Sequence, residues 1–200
     1  MEKEIIRSAL YEAIRQRRST RTYLKEPVPE AILNEVIEAG RYAPSASNSQ
    51  ATHFYVFTGA EKLAGLRKAV TAAFAGMTEQ EGMSPVFQTM IKRAKEGEVD
   101  VAYGAPALIV TTSTKGSPNS SADCACALQN MMLTASANQL ANVWINQFYS
   151  LRDEEPVKAF FASLGVTEKE ELCGALALGY SEKIETTPLP RTGFEVTYLR

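Results

Sequence analysis

From Ser121 to Leu140 the chain is rich in Ala, Leu and Met, and Asp123 is its only charged residue. Ser121 and Asp123 are both residue types that open helices by accepting from free backbone N–H groups. A helix that is apolar on nearly every side belongs at the centre of a domain or in an interface. Asp, Asn and Gln interrupt it too often for a membrane span. The remaining elements must therefore be arranged around this helix.

Three stretches have the length and the β-branched or aromatic content of strands: 53–58, 106–112 and 173–180. The last two are continuously apolar, as strands covered on both faces are. Amphipathic helical spacing predicts helices over 4–17, from Pro29 through Ile37, over 60–75, from near Pro85, and from Asp153 to Gly165. Met77 to Gly97 reads either as a lid or as an excursion packed on the core. After the third strand, 186–191 is extended. Phe194 to Leu199 then alternates like a strand that would pair with the sheet edge of another subunit.

With 200 residues and 45% hydrophobic content, one domain spanning 1–200 is expected. A net charge of −2 argues against a nucleic-acid partner, which calls for a broad basic surface. The stretch from Met1 leads into an amphipathic pattern without an apolar signal core. A soluble, cytoplasmic protein without a membrane partner is the expectation. Cys124, Cys126 and Cys173 read as buried structural thiols, the first two inside the central helix, and the lone His53 as structural. No metal site is expected.

Three segments carry chemistry. Arg17, Arg18, Ser19, Thr20 and Arg21 put three cations and two hydroxyls where the first helix gives way to an extended segment. Forked guanidinium donors and a short hydroxyl suit phosphate oxygens, although a solvated basic helix end has the same composition. Arg41 to Gln50 is small, polar and donor-rich, as is many an ordinary turn. Val143 to Tyr149 holds the only tryptophan and interrupts an apolar run with Asn146 and Gln147, whose amides need partners in backbone or ligand.

In order along the chain, R-R-S-T-R, A-P-S-A-S-N-S-Q, W-I-N-Q-F and L-G-Y followed by P-L-P-R resemble the nitroreductase-like FMN-dependent flavoproteins over essentially the whole length. The resemblance implies an α+β fold: a small mixed central sheet surrounded by helices, with C-terminal arms exchanged in a homodimer that holds FMN at its interface. Arg17, Arg18 and Ser19 match the phosphate grip, which Arg191 joins from the far end of the chain. Arg21 matches a cation nearer the pyrimidine edge of the flavin. Pro44, Ser45, Ala46, Ser47, Asn48 and Gln50 match a loop that reaches FMN, in this family often from the partner subunit. Trp144, Ile145, Asn146 and Gln147 match the segment along the ring system.

The implied activity is that of an FMN-dependent NAD(P)H oxidoreductase. NADH or NADPH gives hydride to flavin N5 in a ping-pong cycle, and a nitroaromatic, quinone or similar small molecule then accepts electrons. No side chain is catalytic in that scheme. The alternatives are an FMN storage or sensor module without turnover, and a flavin-fragmenting or dehalogenating member of the same fold. Two departures stand out: Ala51 replaces a common Pro, and Gln139, Ala141 and Asn142 replace glycines common before the tryptophan.

Overall fold

The structure, a computed structural model, describes residues 2–200; Met1, from which the sequence reading of the N-terminal stretch starts, lies outside them. Four strands, β1 (His53–Phe57), β2 (Ala107–Thr114), β3 (Ala141–Ile145) and β4 (Glu170–Gly179), form one sheet in the order β1-β2-β4-β3. The expected small helix-surrounded sheet is present, and every pair of neighbouring strands is antiparallel. Its only mixed character, among the described residues, is a single parallel bridge between Ser19 and Asn142.

The uninterrupted apolar runs of β2 and β4 divide by the two-residue period of a strand. Leu108, Val110, Ala175 and Ala177 belong to one buried cluster, with Val70 and Phe74 of α3 (Ala60–Gly76), Ile91 of α4 (Pro85–Glu96), Phe148 of α6 (Gln147–Ser150) and Phe161 of α7 (Glu155–Ala162). Ala107, Ile109, Leu176 and Leu178 belong to the other, with Leu33 and Val36 of α2 (Glu30–Arg41) and Leu128, Met131 and Met132 of α5 (Ser120–Ala137). Both faces of the sheet are covered, so neither face needs polar residues. At Gly179 an added Cβ would lie 2.5 Å from Pro106 Cδ, which makes glycine a requirement of the close approach there.

The long apolar helix is α5, and it packs on the sheet with Cys124, Ala127, Leu128, Met131, Met132 and Ala135. Its opposite side is open. Cys126 is exposed, which corrects the expectation that all three cysteines are buried. Residues two apart on a helix point in nearly opposite directions, so a C-x-C pair cannot share one core face. The Met77–Gly97 excursion carries α4, whose Ile91 and Ala94 are buried and whose Phe87 meets Phe74 edge-on at 5.4 Å.

Two elements remain without a covering layer. In α1 (Glu2–Gln16) the apolar stripe Ile5, Ile6, Leu10, Tyr11 and Ile14 is 48–63% exposed. Beyond Ser181 the chain has no helix or strand, and Leu189, Phe194, Val196, Tyr198 and Leu199 are exposed. The alternating segment 194–199 therefore forms no strand within this chain, because a strand requires an edge to pair with.

Candidate functional site

After α1, the basic segment is laid along the edge of the sheet. Thr20 N donates to Asn142 O at 3.0 Å, beside the Ser19–Asn142 bridge, and Leu24 N donates to Tyr180 O at 2.8 Å. Edge strand β3 thereby lifts the cluster out of the helix and fixes its backbone. Thr20 is buried, while Ser19 and Arg21 are exposed and Arg17 and Arg18 are partly buried.

Arg17 Nη1 is buried and has no hydrogen-bond partner. Its pKa is lowered by desolvation first, then by the positive charges of Arg191 and Arg18. Arg18 Nη1 donates to Thr187 O at 2.6 Å, tying down the segment that delivers Arg191. A cavity of about 310 Å³ opens beside these groups, bordered by Ala13, Arg17, Arg18, Thr20, Asn142 and Ile184. Asn142 donates from Nδ2 to Ser136 Oγ at 2.9 Å and Leu140 O at 3.2 Å, leaving its buried Oδ1 unpaired. Crowded cations with an unsatisfied donor are a poor resting arrangement unless an anion joins them.

Arg21 stands apart from this group. Its guanidinium lies over the Tyr103 ring, 5.8 Å from the centroid. Tyr23 donates from its hydroxyl to Thr20 O at 2.8 Å and also reaches Ala177 O at 3.2 Å. Burial raises the pKa of that phenol well above its ordinary value, with the Arg21 charge opposing.

The Ser/Asn loop sits at the other end of α5. Ala46 N donates to both carboxylate oxygens of Asp123, at 3.1 and 3.2 Å, and Gln50 N donates to Ser45 Oγ at 3.0 Å. The loop holds a 3-10 turn, Ala46–Asn48, and three of its non-glycine residues are in left-handed backbone: Ser47 (φ 52°) and Asn48 (φ 53°) in the turn and Gln50 (φ 50°) just beyond it. Such conformations cost energy and persist where the surroundings impose them, commonly at ligand contacts. Ser47, Asn48 and Gln50 are exposed, and a cavity of about 600 Å³ adjoins Pro44, Ser45 and Gln50.

His53 borders that same cavity. It is 58% exposed, with Nδ1 3.4 Å from Glu170 Oε2, so the structure supplies the carboxylate neighbour that the sequence does not display. Burial pushes the Glu170 carboxyl up, but bonds from Thr112 and Thr167 and the His53 contact outweigh it and leave its pKa lowered.

Trp144 and Ile145 end β3, and Asn146 and Gln147 open α6. Ile145 is buried and Trp144 partly so. Trp144 Nε1, like Arg17 Nη1 and Arg67 Nε, is a buried donor without a partner, and it packs where an added Cβ on Gly174 would lie 3.1 Å away. Gln147 is half-buried, whereas Asn146 is exposed. Asn146 follows the last residue of β3 and flanks α6, where the chain leaves the sheet.

The fold thus brings Arg17, Arg18 and Arg191 together and sets Ser19 against β3. It does not bring the 44–50 loop to them within one chain. Asp123, which anchors the loop, and Ser136, which faces the cation cavity, are separated by thirteen residues of α5, a rise of about 20 Å. Asp123, Asn142 and Tyr103, which sequence reasoning did not assign to the site, contact the candidate residues Ala46, Ser19 and Arg21 respectively. Only the departure from glycine at Asn142 was visible as a signal.

Comparison with known proteins agrees with this architecture. The Nitroreductase family matches residues 14–180, and the chain belongs to that family. The solved structure of a Bacteroides fragilis nitroreductase with bound FMN is 31% identical, with a TM-score of 0.85 over 96% of this chain and 98% of that one. An FMN-bound nitroreductase from Desulfitobacterium hafniense shares the fold at 23% identity, with a TM-score of 0.73 over 96% and 98%. A protein of Archaeoglobus fulgidus with the provisional name NADH dehydrogenase/NAD(P)H nitroreductase is 26% identical over 168 residues, 82% of this chain and 80% of its own. Among the described residues no helix is long and apolar enough to cross a membrane, and no group of three or more metal-ligating side chains is assembled.

Proposed function

We propose that the chain is an FMN-dependent NAD(P)H oxidoreductase acting as a homodimer, with the flavin between the cation cluster of one protomer and the 44–50 loop of its partner. The observation that carries this reading is the buried, unpartnered Nη1 of Arg17 beside Arg191 and Arg18. A phosphate monoester fits these residues: it would accept from the guanidinium donors and neutralise charges that now repel one another. Ser19 adds a hydroxyl donor at the same place.

The chemistry FMN supplies when bound is hydride exchange at N5, first from NADH or NADPH and then to a small acceptor such as a nitroaromatic or quinone. The protein's share is binding and electrostatics. Arg17, Arg18 and Arg191 hold the phosphate end. Arg21 sets a positive charge toward the pyrimidine edge, where reduction places negative charge. Trp144, Ile145, Asn146 and Gln147 run along the ring system and offer backbone donors, with no side chain acting as acid or base. Pro44, Ser45, Ala46, Ser47, Asn48 and Gln50 close the site from the partner.

The second subunit is supported by three features: the rise of about 20 Å between the two half-sites, the uncovered apolar stripe of α1, and an extended apolar C-terminal arm. The arm, with Leu189 and Phe194 to Leu199, lies across the partner in this reading, and its alternating residues gain there the pairing edge they lack here.

The deciding experiment is the visible spectrum of the purified protein supplied with FMN. Bound flavin absorbance is expected, bleached by NADH or NADPH and restored by a quinone or nitro compound. A protein that fails to bind FMN defeats the proposal; one that binds it but is not bleached defeats the enzymatic part alone.

A further inference from the structure

The turn just before β2 has no part in the phosphate grip, in the loop or in the tryptophan segment, yet it is built with unusual care. Tyr103 has φ 58° and is followed by Gly104 at φ 73°, so two consecutive residues are left-handed and the first is not glycine. Asp100 imposes this conformation. Its Oδ1 accepts from Ala102 N at 2.9 Å and its Oδ2 from Gly104 N at 2.8 Å, bracketing Tyr103 between two fixed amides.

The bracket is itself bolted to the fold. Arg67 of α3 pairs with Asp100 at 3.2 Å, and Thr71, one turn further along, exchanges two hydrogen bonds with the backbone of Val99. A large aromatic side chain held at positive φ by so many ties is a placement the surroundings enforce. What the placement delivers is a ring against Arg21, at 5.8 Å. Tyr23, bonded to Thr20 O and Ala177 O, is near enough to both Arg21 and Tyr103 to interact electrostatically with them. Arg21 is thus an exposed cation with an aromatic wall, and it makes no ion pair among the described residues.

We propose that Tyr103 is a positioning residue for the flavin: its ring holds the Arg21 guanidinium at the pyrimidine edge, so that the Asp100–Gly104 turn helps set the reduction potential of the bound cofactor. This rests on the assignment of Arg21 made above. A long exposed side chain would otherwise sample many rotamers and spread its charge through solvent. Contact with the ring face narrows that range without neutralising the charge, as an acidic partner would.

The test compares Tyr103→Gly, Tyr103→Phe and Arg21→Ala, with the double variant Tyr103→Gly/Arg21→Ala, by flavin midpoint potential and FMN dissociation constant. Glycine removes the ring while relieving the backbone, so this variant is expected to fold. Arg21→Ala should lower the potential. Tyr103→Gly should lower it in the same direction and weaken FMN binding roughly two- to fivefold, as loss of a cation–aromatic contact does. Tyr103→Phe should match the parent, and glycine should add nothing in the Arg21→Ala background. A potential unchanged in Arg21→Ala removes the Arg21 assignment and the inference with it. A potential lowered in Arg21→Ala but unchanged in Tyr103→Gly, or shifted by glycine equally with and without Arg21, overturns the role of Tyr103 and leaves Arg21 standing.

Discussion

At the C-terminal end of α5 Arg17 and Arg18 border a cavity, the charge of Arg191 bears on Arg17, and Arg17 keeps a buried donor unpaired; at the N-terminal end the 44–50 loop has amides bonded at Ala46 and Gln50 and its backbone strained. The first end is suited to an anion, and the second presents a preformed surface. Charge and desolvation make the cation end costly until an anion arrives. The loop end is already organised by Asp123 and Ser45, and it holds Ser47, Asn48 and Gln50 outward into solvent. The difference indicates a division of labour: one end supplies binding energy, and the other supplies shape on a surface where a second copy would meet it.

The comparison breaks most directly if the two ends can work in one protomer. Placing Asp at Leu10 and Ile6 puts charge on the exposed stripe of α1 and should yield a monomer on sizing that loses its flavin. A monomer that keeps FMN would mean that the loop need not come from a partner.

The next largest effect falls on the cation end. Arg17→Ala and Arg191→Ala each remove charge-assisted bonds of about 1.5 to 3 kcal/mol, weakening FMN by roughly 10- to 150-fold. Fluorescence titration of the apoprotein measures this, and unchanged affinity in both would remove the phosphate from that site. FMN at a hundred times its dissociation constant should stabilise the parent by about 2.7 kcal/mol in thermal melts, and the variants less at the same concentration.

At the loop end the expected effect is smaller, because Asp123 acts through the backbone. Asp123→Ala releases Ala46 N and should cost about 1 kcal/mol in FMN binding, roughly fivefold. Hydrogen exchange should rise over 45–50 while the cation end stays protected. Equal change at both ends would mean that α5 itself had been disturbed.

The smallest effect is on acid stability. The folded pKa of Glu170 is lowered, so its contribution to stability is present above the ordinary carboxylate range and is lost as pH falls through the folded value. Glu170→Gln should therefore narrow the gap in melting temperature between neutral pH and roughly pH 3. Because Glu170 contacts His53 and Thr112, acid should loosen the loop end first.

Much of the fold is legible in sequence because it follows from local periodicity. The runs at 106–112 and 173–180 are strands by composition, and α2, α3, α4 and α7 lie where helical spacing puts them. Strand β3 is harder to read: five residues, Ala141–Ile145, run straight into the polar Asn146 and Gln147, and no turn residue separates them. Cys126 was misassigned because apolar composition alone does not say which side of α5 meets the sheet. Of the site, the cation cluster and the loop are visible as residue types.

Sequence by itself determined the elements, the apolar character of α5 and the choice of arginine and small polar residues at the candidate contacts, since these depend on propensity and side-chain chemistry within a few positions. Tertiary structure decided the rest. Arg191 joins Arg17 only because Arg18 bonds to Thr187, Asp123 reaches Ala46 across a gap of 77 residues, and Tyr103 meets Arg21 only because Asp100 and Arg67 bracket its turn. Such contacts depend on relative positions set by packing on the sheet, and no local pattern encodes a distance between segments so far apart in the chain.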